Sequence, residues 1–197
     1  MKILAFSDLH LSRARAEEIV AASRVADLVI GAGDFGNMRR GVAEAMRLLA
    51  GIETPLVLVP GNNESLEELR MAAPEGAFVL HGDTITMDGV TLFGIGGGVP
   101  VTPFGAWSWD LTEAEAEDLL KTADGADVII SHSPPKGIAD RTSTGVSVGS
   151  TAVYAAAERV QPKLLLCGHI HDCWGEEGLI GQTRVKNLGP RVNWFEM

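Results

Sequence analysis

Short apolar runs alternate with longer amphipathic stretches along most of this chain. The first run, Lys2 to Ser7, reads as a β-strand, and a helix follows from about Arg15 to Val25. A second run, Leu28 to Ile30, precedes a helix over about Met38 to Leu49, and a third, Leu56 to Val59, precedes a helical segment over Glu64 to Met71. The rhythm then changes. Phe78 to Leu80, Thr84 to Met87 and Val90 to Ile95 read as short strands, with a hairpin turn at Asp88-Gly89. A Gly/Pro/aromatic loop runs from Gly96 to Asp110, and Thr112-Glu113-Ala114-Glu115 has the form of a capping box that opens a helix to about Lys121. A strand at Val128 to Ile130, a polar loop from Ser133 to Gly149, a helix from about Thr151 to Val160 and a strand at Leu164 to Cys167 follow. Short strands around Thr183 to Asn187 and Asn193 to Phe195 end the pattern. Alternating β and α units with one hairpin region predict a layered α/β fold with a mixed sheet, and 197 residues fit one domain over 1–197.

The polar residues fall in a second pattern. Ile3 to Ser7 is followed by Asp8-Leu9-His10, Leu28 to Gly33 by Asp34, and Leu56 to Gly61 by Asn62. Val128 to Ser131 is followed by His132, and Leu164 to Gly168 by His169-Ile170-His171. Five strand-like runs therefore end in a side chain able to hold a metal. Ligands of open α/β sheets bind beyond the carboxyl ends of the strands, so neighbouring strands would bring all seven groups to one edge. Asp8 and His10, like His169 and His171, sit two apart, and an extended backbone would point each pair to one side. Neutral imidazole with carboxylate suits Mn, Fe, Zn, Co or Ni, of which manganese is favoured. Seven groups exceed the four that close one tetrahedral site, so two ions sharing a carboxylate are expected.

Composition narrows the partners. The net charge of −10 and the lack of a lysine/arginine cluster argue against a nucleic-acid duplex. No apolar run approaches the ~20 residues of a membrane helix, so no membrane partner is expected. The apolar N-terminus meets Ser7-Asp8 too early for a signal peptide, so the cytoplasm is the expected location. Two cysteines are too few for a disulfide framework, and Cys167 reads as a buried core thiol. Self-association is left open.

The motifs Asp8-Leu9-His10, Gly33-Asp34, Gly61-Asn62-Asn63-Glu64, the lone His132 and Gly168-His169-Ile170-His171 occur in that order, and together they resemble the calcineurin-like metallophosphoesterase family. The resemblance covers about residues 3 to 187. It implies a two-sheet β-sandwich flanked by helices in four layers, with mixed sheets. It implies one metal on Asp8, His10, Asp34 and His171, and another on Asp34, Asn62, His132 and His169. Asp34 would bridge both, together with a water or hydroxide as nucleophile. The implied activity is metal-dependent hydrolysis of a small phosphoester, with a phosphodiester favoured. Asn62 and Asn63 would face the substrate, with Asn63 beside the reacting phosphate. The family has a histidine where this chain has Asn63, which can donate a hydrogen bond but cannot act as a general acid.

Other motifs compete. Gly31-Ala32-Gly33-Asp34-Phe35-Gly36 matches a dinucleotide fingerprint, but Asp34 would set a carboxylate beside the pyrophosphate. Gly145-Val146-Ser147-Val148-Gly149 matches a nucleophile elbow, which would make a serine esterase of Ser147, but the preceding segment Asp140 to Thr144 is polar and leaves only Glu158 as the acid. A metal-binding scaffold without catalysis is the main alternative, and the complete ligand set favours the enzyme. Arg141 is a candidate for pairing with phosphate oxygens, and Phe104, Trp107 and Trp109 for stacking on a base or aryl group. His81 reads as a turn residue.

Overall fold

Period-two alternation divides the side chains of the buried strands between two apolar layers, and the division sets the architecture. The structure is a computed structural model that describes residues 1–197. In chain order it forms β1 (Lys2–Phe6), α1 (Arg13–Ser23), β2 (Leu28–Ala32), α2 (Val42–Leu48), β3 (Leu56–Val59), α3 (Leu66–Ala72), β4 (Phe78–Val79), β5 (Asp83–Met87) and β6 (Val90–Ile95). It continues with α4 (Glu113–Leu120), β7 (Val128–Ser131), α5 (Thr151–Val160), β8 (Leu164–Cys167), β9 (Glu177–Ile180), β10 (Thr183–Asn187) and β11 (Asn193–Glu196). One sheet has the order β11-β1-β2-β3-β4 and the other β5-β6-β7-β8-β10-β9. Strands β1 to β4 are mutually parallel, as are β6, β7, β8 and β10, while β11, β5 and β9 are antiparallel edges.

Ile3, Ala5, Leu28, Ile30, Val57 and Val59 of the first sheet face Leu92, Val128, Ile130, Leu164 and Leu166 of the second. The intervening residues point the other way. Leu4, Phe6, Val29 and Leu58 meet Ile19 of α1, Met46 of α2 and Leu69 of α3. Phe93, Ile129, Leu165 and Cys167 meet Leu120 of α4 and Val153 and Ala157 of α5. The result is a helix–sheet–sheet–helix sandwich, as expected from the resemblance. Each of these large side chains contributes roughly 1.5–3 kcal/mol by leaving water. No helix is long and apolar enough to cross a membrane.

Two expected helices start late. The stretch expected to begin a helix at Met38 is instead a turn. Met38, Arg39 and Gly41 all have positive φ, and Asn37 and Arg40 exchange backbone hydrogen bonds, so α2 begins at Val42. Glu64 does not join α3, because its carboxylate is engaged by backbone N–H groups elsewhere. Ser65 caps the helix in a capping box with Glu68. The Thr112–Glu115 capping box and the Asp88-Gly89 turn, with φ of 47° and 80°, form as expected. Strand β9 has no signature in its sequence, since Glu177-Gly178-Leu179-Ile180 carries no alternation.

Candidate metal centre

The carboxyl ends of β1, β2 and β3 in one sheet and β7 and β8 in the other open onto the same edge. The segments that follow carry Asp8 and His10, Asp34, Asn62, His132, and His169 with His171. The backbone there is not extended. Asp8, His10, Asp34 and His169 all lie in the left-handed region, with φ of 53°, 45°, 58° and 67°, and His171 opens a 3-10 turn to Cys173. The extended-pair expectation is therefore corrected: His169 and His171 are sent to different halves of the site. Each left-handed residue costs on the order of 1 kcal/mol, and hydrogen bonds between the loops offset this. The amides of Asp8 and His10 donate to the carbonyls of Gly33 and Asp34 at 2.9 and 3.0 Å. Gly61 is obligatory here, because a Cβ would overlap the Asp34 carboxylate.

Asp8, His10, Asp34 and His171 form one group of donors, and Asp34, His132 and His169 a second. In the first, His10 Nε2 lies 3.1 Å from His171 Nε2 and 3.7 Å from Asp34 Oδ2, and His171 Nε2 lies 3.6 Å from Asp8 Oδ1. In the second, His132 Nε2 lies 3.4 Å from Asp34 Oδ1 and 3.3 Å from Asn62 Oδ1. Asp34 belongs to both groups. Surrounding partners aim the donor atoms. His132 Nδ1 meets the Ala32 carbonyl at 2.8 Å, and His10 Nδ1 meets the Gly36 carbonyl and Asn37 Oδ1, so each neutral ring presents a lone pair at Nε2. Asn62 Nδ2 donates to Ser108 Oγ at 2.9 Å, which turns its oxygen toward His132. Asp8 accepts from Ser7 Oγ, Trp174 Nε1 and the His169 amide. Convergence of acceptor atoms on two shared spaces fits two cations, and the mix of oxygen and imidazole suits borderline divalent ions.

The charges of the metal-free cluster are unevenly distributed. Burial works against ionised Asp34, but His132 and His10 outweigh it and hold the carboxyl well below its usual range. Burial likewise opposes a charged His132, yet Asp34 and then Asp8 push it up to about 9. His169 moves the other way, down to about 4, through burial and the neighbouring His132. A hydrogen bond to Asp8 raises His171.

Asn63 borders the cavity, and its hydrogen bonds run to Asp34 and the β2 loop. Its side-chain amide donates to Asp34 Oδ2 at 2.6 Å, its oxygen accepts from the Met38 amide, and its backbone N–H donates to Asp34 Oδ1. It holds Asp34 from beneath while still bordering the cavity. Glu64, in the same motif, accepts hydrogen bonds from the amides of Gly61, Asp34, Phe35 and Gly36. It thus ties the β2 and β3 loops together, a role that no local sequence signal announces. Arg141 is not brought to the cluster. Its guanidinium donates to the Gly145 carbonyl within its own loop.

A cavity of about 310 Å³ lies over the donors, lined by His10, Asp34, Asn62, Asn63, His169 and His171, with Phe104 and Trp107 as its apolar wall. Phe104 and Trp107 stack on each other with centroids 5.4 Å apart. Trp109 is not part of this wall and packs on His81, whose Nδ1 accepts from the Gly96 amide. The Gly31–Gly36 segment serves Asp34 and its loop. Ser147 donates to Asp140 and sits on an irregular loop, not on a strand-to-helix elbow.

Comparison with known proteins agrees with this geometry. A comparison with curated proteins found no match. Among solved structures, TT1561 of Thermus thermophilus superposes with a TM-score of 0.75 at 18% identity, over 98% of this chain and 97% of that one. A dimetal phosphatase from Danio rerio superposes with a TM-score of 0.66 at 13% identity, over 96% and 88% of the two chains. An archaeal phosphodiesterase does so with a TM-score of 0.51 at 14% identity, over 96% and 84%. At these identities the likeness is one of fold. The sequence profile of the calcineurin-like phosphoesterases matches residues 1–173, and the chain belongs to that family.

Proposed function

We propose that this protein is a phosphodiesterase acting on a small phosphodiester at the cluster around Asp34. The observation that carries the reading is the make-up of the cavity: converging donors, an aromatic wall, and no lysine or arginine among the lining side chains. Asp8, His10, Asp34 and His171 would hold one divalent ion, manganese being favoured, and Asp34, Asn62, His132 and His169 a second. When bound, two such ions activate water and stabilise charge on the phosphoryl oxygens. The chain's own residues do the rest. Asp34 is held by both hydrogen bonds from Asn63, so the shared carboxylate cannot rotate. The partners at Nδ1 of His10 and His132 leave Nε2 of each neutral ring to face the cluster. Phe104 and Trp107 offer an apolar face to one ester arm.

A singly charged diester suits a cavity without protein cations better than a doubly charged monoester. The proton inventory bears on the leaving group instead. Asn63 occupies the position beside the cluster and has no proton to give a leaving alkoxide. The test is to reconstitute the protein with manganese and compare kcat/KM for bis(para-nitrophenyl) phosphate and para-nitrophenyl phosphate. We expect metal-dependent turnover favouring the diester by at least about tenfold; both esters release para-nitrophenolate, so the comparison reads charge at the cavity and not leaving-group protonation. Equal or greater kcat/KM for the monoester would sink the phosphodiesterase reading. Stoichiometric metal binding with no hydrolysis of either ester would favour a scaffold.

A further inference from the structure

A second cleft, of about 470 Å³, adjoins the cavity over the metal ligands and shares Phe104 and His169 with it as common walls. Its floor and sides are apolar: Val101, Pro103, Phe104, Val148 and Ile170. Val101 and Phe104 stay 59% and 49% exposed, so apolar surface is left open to solvent directly beside the donors. One cationic side chain, Lys136, lines the cleft, together with the hydroxyl residues Thr142 and Ser147. Lys136 Nζ donates to the Ser147 carbonyl at 2.7 Å, which leaves two N–H groups for another acceptor.

The cleft is built rather than incidental. Its loop walls are anchored from below by Asp140, a fully buried carboxylate. Asp140 Oδ2 accepts from the amides of Gly137 and Gly149 and from Ser147 Oγ. The Ser143 amide donates to Asp172, which pins the same loop to the turn that carries His171. On the opposite wall, the amide and hydroxyl of Thr102 both donate to Asp110, and the Val99 amide donates to Ser133. Such a surface needs little ordering when a ligand arrives.

We propose that this cleft is a subsite for the second arm of the substrate, namely an extended apolar ester chain that ends in a carboxylate or similar anion paired with Lys136. The assignment rests on the phosphodiesterase reading. It follows from three features: a wall shared with the cavity, an apolar lining too large for a methyl ester, and a single cation in the lining. With the phosphodiester held at the metal ligands, Lys136 is the cation left for the anionic end, and this orients the arm along the cleft.

The experiment uses the manganese-loaded protein and three diesters with a common para-nitrophenyl group, whose other arm is methyl, octyl or ω-carboxyoctyl. We expect kcat/KM for the octyl ester to exceed that for the methyl ester by about thirtyfold. Each methylene taken from water is worth roughly threefold to fourfold, and the open cleft would cover about three of them fully. The carboxyoctyl ester should gain a further factor of about three, the size of an exposed ion pair. Lys136→Met should remove that last factor, and Val101→Asp should reduce the octyl-to-methyl ratio. Both substitutions are at exposed positions, and retained metal content reports on folding. Equal kcat/KM for all three esters overturns the subsite while leaving the phosphodiesterase reading standing. An octyl preference untouched by both substitutions places the arm elsewhere and also overturns it. If none of the three is hydrolysed in a metal-dependent way, the phosphodiesterase reading fails and the subsite with it.

Discussion

Asp34→Asn is the substitution that bears most directly on the site, because it keeps the shape of the residue and deletes one charge. The carboxylate lies 3.4 Å from His132 Nε2 and 3.7 Å from His10 Nε2. At an effective dielectric of about 20, a unit pair at that separation is worth roughly 4–5 kcal/mol. Burial takes part of this back. The lift of His132 from 6.5 to about 9 reflects a net of roughly 3 kcal/mol in favour of its charged form. Without Asp34, burial dominates and His132 should titrate below its ordinary value. A divalent ion loses at least as much as a singly charged imidazolium, and Asp34 belongs to both donor groups. About 4 kcal/mol converts to a factor of about 10³. Manganese content should fall from two ions per chain to less than one, and kcat/KM for bis(para-nitrophenyl) phosphate should fall by at least about 10³-fold. Folding should survive. One Asn63 donor would now face an amide, at a cost of about 1–3 kcal/mol, less than the ~5–15 kcal/mol of a typical domain. The assay is elemental analysis with steady-state kinetics, and the His132 ring proton followed by NMR. An Asp34→Asn protein that kept two tightly bound ions and near-normal turnover would refute the shared-carboxylate reasoning.

Metal binding should depend on pH through His132. With a pKa raised to about 9, this ring is charged in the metal-free protein at neutral pH, and a ligand ring must be neutral. Affinity should therefore rise by at least about tenfold per pH unit toward 9, more steeply where His171 is also charged, and then level off. Calorimetry in buffers of different ionisation enthalpy should show a proton released near neutrality, and its absence would contradict the prediction. His169, lowered to about 4, is already neutral there and adds no proton. At Asn63, restoring histidine should help poor leaving groups more than good ones. The slope of log kcat against leaving-group pKa should flatten in Asn63→His, and identical slopes would mean that the proton comes from elsewhere. Arg141→Ala should leave kcat/KM within about twofold, because the guanidinium is held by the Gly145 carbonyl. A large rise in KM would show that the loop swings over the substrate.

The parts of this structure legible in the sequence are those with local causes. The unbroken apolar runs Ile3-Leu4-Ala5-Phe6 and Leu164-Leu165-Leu166-Cys167 mark strands with two buried faces, and the capping residues Thr112 and Glu115 mark a helix start. The donor positions are legible because each one ends an apolar run. What escapes is set by distant partners. The left-handed turns at Asp8, His10 and His169 depend on hydrogen bonds between loops. The Trp174 indole reaches Asp8 across 166 residues, and Glu64 gathers amides from a loop about thirty residues away. Arg141 is the visible cation in the polar loop, yet Lys136 is the one that a packed wall directs into a cleft. Nothing within a short window distinguishes the two.

The two-faced strands leave a question about alignment that the polar cluster answers. In a strand with one wet face, slipping by one residue exposes the apolar set, so hydrophobicity alone enforces pairing. Here Ile3 and Ala5 line one apolar layer while Leu4 and Phe6 line another, and a one-residue slip would exchange apolar for apolar. The same is true of β3 and β8. What punishes misalignment is the strand end, where a slip would drag Asp8, Asp34 or His132 into the dry interior or separate them from their hydrogen-bond partners. The residues that would hold metal therefore also serve as pins for strand alignment. Variants that replace them with apolar residues should be judged for uniqueness of fold as well as for lost chemistry, because removing the donors removes the penalty on the wrong pairing.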